Sequence, residues 1–267
     1  MSHALHVTQY NQGSGAGTLV LLHGFPVDHR MWDSAAPLLD DAWQVLAVDL
    51  PGLGQSAQVL PPEPSMEASA TLVIEAIDAH RSATDTTGPI VLAGLSMGGY
   101  VAQAILREHP AWAQAVVLLD TRVTPDLQET HENRLRVAAQ AEADGTPNVV
   151  LPMATSTLAP QTAESRPEIV ELMQGLISSQ SAAGVAWSQR AMAVRPDSTE
   201  VIAELDLPLL CIVGKEDSVS PQDVMAAIAA TSRHGELVVI EGAGHMSPVE
   251  QPQAVADAMS AFLAQFE

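Results

Sequence analysis

Only one of the 267 residues is a cysteine, Cys211, so no disulfide can close within the chain and no cysteine-built metal centre is available. Cys211 lies in the apolar run Pro208 to Val213, where a thiol serves as a small buried hydrophobe. Lysine is as scarce. Lys215 is the one lysine among 11 basic residues, set against 32 acidic ones, for a formal net charge of −21. A surface of that sign repels phosphate backbones and anionic bilayers, which argues against nucleic-acid binding and against docking on acidic membranes. Long apolar runs are also missing, the longest being of strand length, so no membrane span is expected. The opening MSHALHVTQY has neither a basic start nor an apolar core. No secretory signal is expected there, and the expected location is the cytoplasm.

What the chain does have is apolar content, 47% hydrophobic residues, enough for one sizeable α/β domain. Short apolar runs that read as strands cover Leu5 to Thr8, Leu19 to Leu22, Trp43 to Val48, Ile90 to Ala93, Ala115 to Leu119, Pro208 to Val213 and Leu237 to Ile240. Helical spacing appears from Met66 to His80, and Val255, Met259 and Phe262 put an apolar stripe on a terminal helix. Continuous apolar strands alternating with helices predict a mostly parallel sheet buried on both faces. Ligand sites in such sheets lie at the carboxyl ends of the strands. Five loop clusters fall there: HGFP, DLPGLGQS, the turn around Ser96, GKEDSVSP and GAGHMSP. Between residues 121 and 206 the strand rhythm stops, and prolines punctuate short helices. Leu127, Leu135 and Val137 suggest one amphipathic piece, and Ile169, Leu172, Met173 and Leu176 a second. A helical insertion that enters and leaves at the sheet's ligand edge reads as a lid, 121–206, on a core formed by 1–120 and 207–267.

The sharpest local signal is VLAGLSMGGYVAQAI, Val91 to Ile105. An apolar strand gives way to helical spacing within Gly94-Leu95-Ser96-Met97-Gly98, the G-x-S-x-G pattern of a nucleophile elbow. A serine at such a turn is held in a strained conformation, and its neighbours must lack side chains for the chain to pass so closely. The hydroxyl then stands at a helix N-terminus, whose dipole favours negative charge on a bound oxygen.

Together these motifs, in this order, resemble the α/β-hydrolase fold: HGFP, DLPGLGQS, GLSMGG, GKEDSVSP and GAGHMSPVEQP. The resemblance covers nearly the whole chain, is weakest in the 121–206 segment, and is nearest to cofactor-free serine hydrolases of the esterase, enol-lactonase and haloperoxidase-like group. It implies helices on both faces of the sheet and a helical lid inserted after the sixth strand. It also implies a triad of Ser96, Asp217 and His245, with an oxyanion hole from the backbone N–H groups of Phe25 and Met97. Asp120 also ends a strand and stands as the alternative acid, its other reading being a lid-hinge residue paired with Arg122. His23 resembles the family's structural histidine and Asp49 its turn aspartate. His3, His6, His29, His80, His109, His131 and His234 lack the glycine loop that precedes His245, and none makes a metal-ligand pattern with a neighbouring acid. No cofactor and no metal are expected. Epoxide hydrolases and haloalkane dehalogenases of this fold carry aspartate where Ser96 stands, which disfavours their chemistry. The expected activity is hydrolysis of a small carboxylic ester or lactone through an acyl-enzyme. Acyl transfer or perhydrolysis on the same triad, and a slow-turnover small-molecule receptor, are the alternatives.

Overall fold

A computed structural model describes residues 4–266. Met1, Ser2, His3 and Glu267 lie outside the described residues, and with them His3 and the start of the MSHALHVTQY stretch. Seven strands form one sheet: β1 (Val7–Asn11), β2 (Gly17–Leu22), β3 (Trp43–Val48), β4 (Ile90–Leu95), β5 (Ala115–Leu119), β6 (Leu209–Gly214) and β7 (Gly235–Ile240). Their order across the sheet is β1-β3-β2-β4-β5-β6-β7, all parallel except β1, which runs antiparallel to β3 at one edge. Every residue of β2 through β6 is buried, which requires cover on both faces, while the edge strands β1 and β7 are half-buried.

Helices α1 (Met66–Ala83) and α2 (Met97–Glu108) precede β5. α3 (Gln128–Asp144), α4 (Met153–Ser156), α5 (Pro160–Ser165), α6 (Pro167–Ser178), α7 (Ala182–Ala193) and α8 (Thr199–Ala203) fill the gap between β5 and β6. α9 (Gln222–Thr231), α10 (Ser247–Glu250) and α11 (Pro252–Leu263) complete the chain. Local chemistry sets several of these ends. The Ser65 hydroxyl caps α1 by accepting the Ala68 N–H at 3.0 Å, and Ser181 caps α7 through the Gly184 N–H at 2.9 Å. α5, α6 and α11 each begin with proline, whose missing N–H is no loss in a first turn. α3 stops at Gly145, which takes the left-handed conformation, φ 65°.

Ala115–Leu119, which the resemblance counts as the sixth strand, is the fifth here, because a single strand precedes β2 in the described chain. The helical insertion is present, but one apolar face differs from expectation. In α3 the buried residues are Val137, Ala138 and Ala141, whereas Leu127 is 80% exposed and Leu135 42%. Those alanines let α3 pack closely along α7, and small side chains carry little hydrophobic signal in a sequence. In α6, Ile169, Met173 and Leu176 are buried as expected, whereas Leu172 is exposed, at 39%.

The insertion is pinned to the loops at the carboxyl edge of the sheet. The Gln180 side chain accepts the Gly54 N–H at 2.9 Å and donates to Asp28 at 2.7 Å. Ser181 Oγ donates to Gly52 O at 3.1 Å, and Trp187 Nε1 to Pro61 O at 2.8 Å. Asp28, fully buried, also holds Arg30 through bonds of 2.8 and 2.6 Å. Burial pushes its carboxyl up, yet the hydrogen bonds from Arg30 and Gln180 outweigh burial and hold it at about 2, below the ordinary 3.8.

A carboxyl depressed in the folded state contributes stability above its unfolded pKa and loses it as pH falls through the folded one. Asp28→Asn is therefore expected to lower stability at neutral pH by on the order of 2 kcal/mol. The difference from the parent protein should close between pH 3.8 and about 2, as read from urea denaturation across that window.

Candidate active site

β4 runs to Leu95 and α2 begins at Met97, so the reversal that the sequence spreads over five residues is made at Ser96 alone. Ser96 has φ 52° and ψ −111°, a left-handed conformation rare outside glycine. The turn is held from both sides: the Ser96 N–H donates to Leu119 O at 2.9 Å, and Ser96 O accepts the Thr121 hydroxyl at 2.8 Å. Two glycines make it possible. A Cβ on Gly98 would fall on the Leu22 carbonyl, and one on Gly94 would fall on the carbonyl of Gly98. Neither neighbour can move, since both are backbone.

Four adjacent parallel strands end side by side at this edge, β4 at Ser96, β5 at Asp120, β6 before Asp217 and β7 before His245. The Ser96 hydroxyl lies 2.9 Å from His245 Nε2, and His245 Nδ1 lies 2.8 Å from Asp217 Oδ2. An imidazole protonated on Nδ1 satisfies both contacts, donating to the carboxylate and accepting from the serine. Asp217 and His245 are buried, and Ser96 is half-buried. Burial pushes the Asp217 carboxyl up, but the His245 hydrogen bond and charge and the N–H groups of Ser220 and Val219 hold it below the usual carboxylate range. Those N–H groups reach Asp217 Oδ1 at 2.9 and 2.7 Å.

The Gly24–Phe25 turn after β2 lies against the serine: a Cβ on Gly24 would stand 3.5 Å from Ser96 Cβ. The backbone N–H groups of Phe25 and Met97 donate to no acceptor among the described residues. Met97 is the first residue of α2, where a helix leaves its N–H unpaired.

Asp120 does not reach His245. Its Oδ1 accepts the Gly214 N–H at 2.8 Å and its Oδ2 the Ser247 hydroxyl at 2.5 Å. The expected pairing with Arg122 does not form either, because that guanidinium turns to the Val219 carbonyl. His23 is buried and spans two loops, donating from Nδ1 to Gly24 O at 2.9 Å and accepting the Leu50 N–H on Nε2 at 2.9 Å. Burial pushes its pKa down. Asp49 ties the turn after β3, accepting from the His29 N–H, the His29 ring and the Gln55 N–H at 2.8 to 2.9 Å. One grouping escaped the sequence because its members are far apart along the chain. His6, His29 and Asp49 bring ligand-type atoms within 4.8 Å of one another. The His29 ring bonds to Asp49, and the His6 ring to Thr8 and Gln55, so hydrogen bonding accounts for the cluster.

A family model described as the alpha/beta hydrolase family matches residues 19–258, from β2 into α11, a span containing all the residues above but His6 and Thr8. The chain belongs to the alpha/beta hydrolase family. Among curated relatives, it is 26% identical over 260 residues to (E)-2-((N-methylformamido)methylene)succinate hydrolase of Acinetobacter baylyi, covering 95% of this chain and 92% of that one. It is 27% identical to 3-oxoadipate enol-lactonase 2 of the same organism, covering 93% of this chain and 89% of the relative. Among solved structures, a thermophilic esterase from Thermogutta terrifontis superposes with a TM-score of 0.90 at 37% identity, covering 98% of this chain and 94% of that one.

Within this alpha/beta hydrolase frame, one support residue had no role assigned from the sequence although it stands in the quoted GAGHMSPVEQP. Glu250, 1% exposed, accepts the Gly244 N–H and the Ala159 N–H, each at 2.8 Å. It thereby joins the loop before His245 to the insertion, and the His245 N–H adds a bond to Thr157 O at 2.8 Å. Burial pushes the Glu250 carboxyl up, outweighing the neutral donors that bond to it. A glutamate five residues after the histidine was the available signal.

The glycine geometry yields a paired prediction. Gly98→Ala is expected to destabilise the protein by about 1 to 3 kcal/mol or more, through overlap with fixed backbone. Gly175→Ala, in α6 with nothing within 4 Å of the added methyl, is expected to stabilise it by about 0.5 to 1 kcal/mol. Urea denaturation of the two variants reads both signs.

Proposed function

We propose that this protein is a serine hydrolase that cleaves a small carboxylic ester or lactone through an acyl-enzyme. The observation that carries the reading is the continuous relay from Ser96 Oγ through His245 to Asp217, with contacts of 2.9 and 2.8 Å, set on a strained turn. Membership of the alpha/beta hydrolase family and relatives named as an enol-lactonase and an esterase support the substrate class.

A serine hydroxyl is a weak nucleophile at neutral pH until a base takes its proton. His245 Nε2 accepts that proton as Oγ attacks the substrate carbonyl carbon. Asp217 holds the ring in the required tautomer and stabilises the imidazolium that forms. The carbonyl oxygen, now an oxyanion, accepts from the N–H groups of Phe25 and Met97, which have no other partner among the described residues to give up. Collapse of the tetrahedral intermediate expels the alcohol oxygen, which takes the proton from His245. Water then attacks the acyl-enzyme, passing its proton to His245, and the acid leaves as Ser96 recovers its hydrogen. With a lactone the alcohol stays tethered to the acyl group, and the product is a hydroxy acid.

The 121–206 segment acts in this reading as a lid over the site, fastened to the loops after β2, β3 and β7. A cytoplasmic setting, where disulfides are rare, suits a chain whose one cysteine can close no disulfide within it.

Ser96→Ala and His245→Ala are each expected to lower kcat by about ten-thousand-fold or more with the fold intact, and Asp217→Asn by about ten-thousand-fold. A fluorophosphonate should leave a single adduct, on Ser96, by intact mass and peptide mapping. Ester or lactone hydrolysis at the parent rate in Ser96→Ala would refute the mechanism, and a greater loss in Asp120→Asn than in Asp217→Asn would move the acid to Asp120.

A further inference from the structure

Three non-glycine residues have positive φ among those described, and two of them, Ser96 and Asp120, follow the neighbouring parallel strands β4 and β5. A left-handed conformation at a non-glycine residue persists only where its surroundings over-determine it. At Ser96 the reason is the elbow. At Asp120, with φ 47° and no exposed surface, the surroundings are the two loops that carry the rest of the triad. Gly214, whose N–H it accepts, opens the loop bearing Asp217. Ser247, whose hydroxyl it accepts, lies two residues past His245. One carboxyl group therefore braces both loops.

Gly214 links it to Asp217, donating its N–H to Asp120 at 2.8 Å and accepting the Asp217 N–H at 3.1 Å, and the Asp217 carboxyl acts on Asp120 through its charge and as a hydrogen-bond partner. Two carboxylates in one buried volume cannot both ionise without a cation between them, so a proton resides in such a pair. No cation is paired with Asp120 among the described residues. Arg122 points at the Val219 carbonyl, Lys215 pairs with Glu241, and His245 is committed to Asp217. The remaining neighbours are neutral: Gly214 from β6, Ser247 from α10, and Thr121, whose own N–H and hydroxyl go to Met225 Sδ on α9 and to Ser96 O. Asp217 has the better donors for a charge, two backbone N–H groups and the imidazole.

We propose that Asp120 is kept as a neutral carboxylic acid whose O–H donates to the Asp217 carboxylate, making it a positioning residue for the Asp217–His245 pair. The directions agree. Burial and the neighbouring Asp217 charge push Asp120 well above the usual carboxylate range, while Asp217 stays below it. The proton adds a donor to Asp217 without adding charge, so the site holds one negative charge, directed at His245 Nδ1. An ionised Asp120 would place a second negative charge beside the imidazole and favour its protonated form, which cannot accept from Ser96.

The inference rests on Asp217 being the residue that orients His245, and its test reads the proton whether or not the protein turns over. Infrared difference spectra of protein labelled with ¹³C at the aspartate carboxyl exclude Glu250, the other buried acid pushed upward. A protonated aspartate carbonyl band at neutral pH is expected in the parent and in Ser96→Ala, and is expected to vanish in Asp120→Asn. Its absence from the parent overturns the proposal, and that spectrum suffices even if Asp120→Asn fails to fold.

The pH profile of kcat/KM gives a second readout. Exchange of one neutral group for another should leave the acid limb of Asp120→Asn within about 0.3 pH unit of the parent. Displacement of that limb by about one unit means Asp120 carried charge, and overturns the proposal. Asp120→Ala, which removes the donor, is expected to lose about tenfold or more in kcat with little change in KM, most of it recovered in Asp120→Asn. Equal loss in the two variants would reduce Asp120 to a structural brace and overturn the positioning role.

Discussion

The contact on which this structure depends is between backbones: Gly98 in the first turn of α2 against the Leu22 carbonyl at the end of β2. With no side chain between them, the helix starts directly over the strand ends, and the chain can reverse in the single residue Ser96. Parallel register then carries the geometry sideways. Leu22 pairs with Gly94, Leu95 with Leu119, and Leu119 with Ile212, so each loop after these strands begins at nearly the same level. A one-residue slip at any of these pairings would send each side chain to the opposite face, where the buried layer is packed for a different one, so the buried strands hold the alignment of the site.

The helical insertion is part of the same arrangement. Its backbone at Thr157 and Ala159 meets His245 and Glu250, while Gln180 and Ser181 meet the loops after β2 and β3. α7 passes so close to Gly52 that Gly184 has room for no side chain. These are polar and backbone contacts, and each satisfies a buried group that would otherwise be costly to leave unpaired. The histidine loop is thus shaped by residues from both halves of the core and from the segment between them.

Acidic residues outnumber basic ones by 32 to 11, yet the buried acids are each accommodated differently. Asp28 has Arg30, and Asp126 has Arg134 at 2.5 Å and Arg195 at 2.8 Å. Asp49 and Asp217 rest on backbone N–H groups and a histidine ring. Asp120 and Glu250 are faced only by neutral donors and by another acid in the first case, and both are pushed upward by burial. The carboxyls with a cation or histidine ring are driven low and those without are driven high, as expected where desolvation competes with paired charge.

The alternation of apolar runs, the glycine-flanked serine at 96 and the histidine loop at 245 were legible in the residues because each is a local pattern: strand period, a five-residue turn, a glycine before a strand-end histidine. Family order along the chain added Asp217, and the structure joins it to His245. The face of α3 was misread because its buried residues include two alanines, and the Asp120–Arg122 pair failed because a neighbouring carbonyl took the guanidinium. The sequence by itself determined which residue types stand at the strand ends, since helices, strands and turns answer to neighbours a few residues away. Only the tertiary structure decided which of those residues meet. Asp120, Asp217, Ser247 and Glu250 find partners across separations of 28 to 127 residues, and long-range contact has no signature in local pattern.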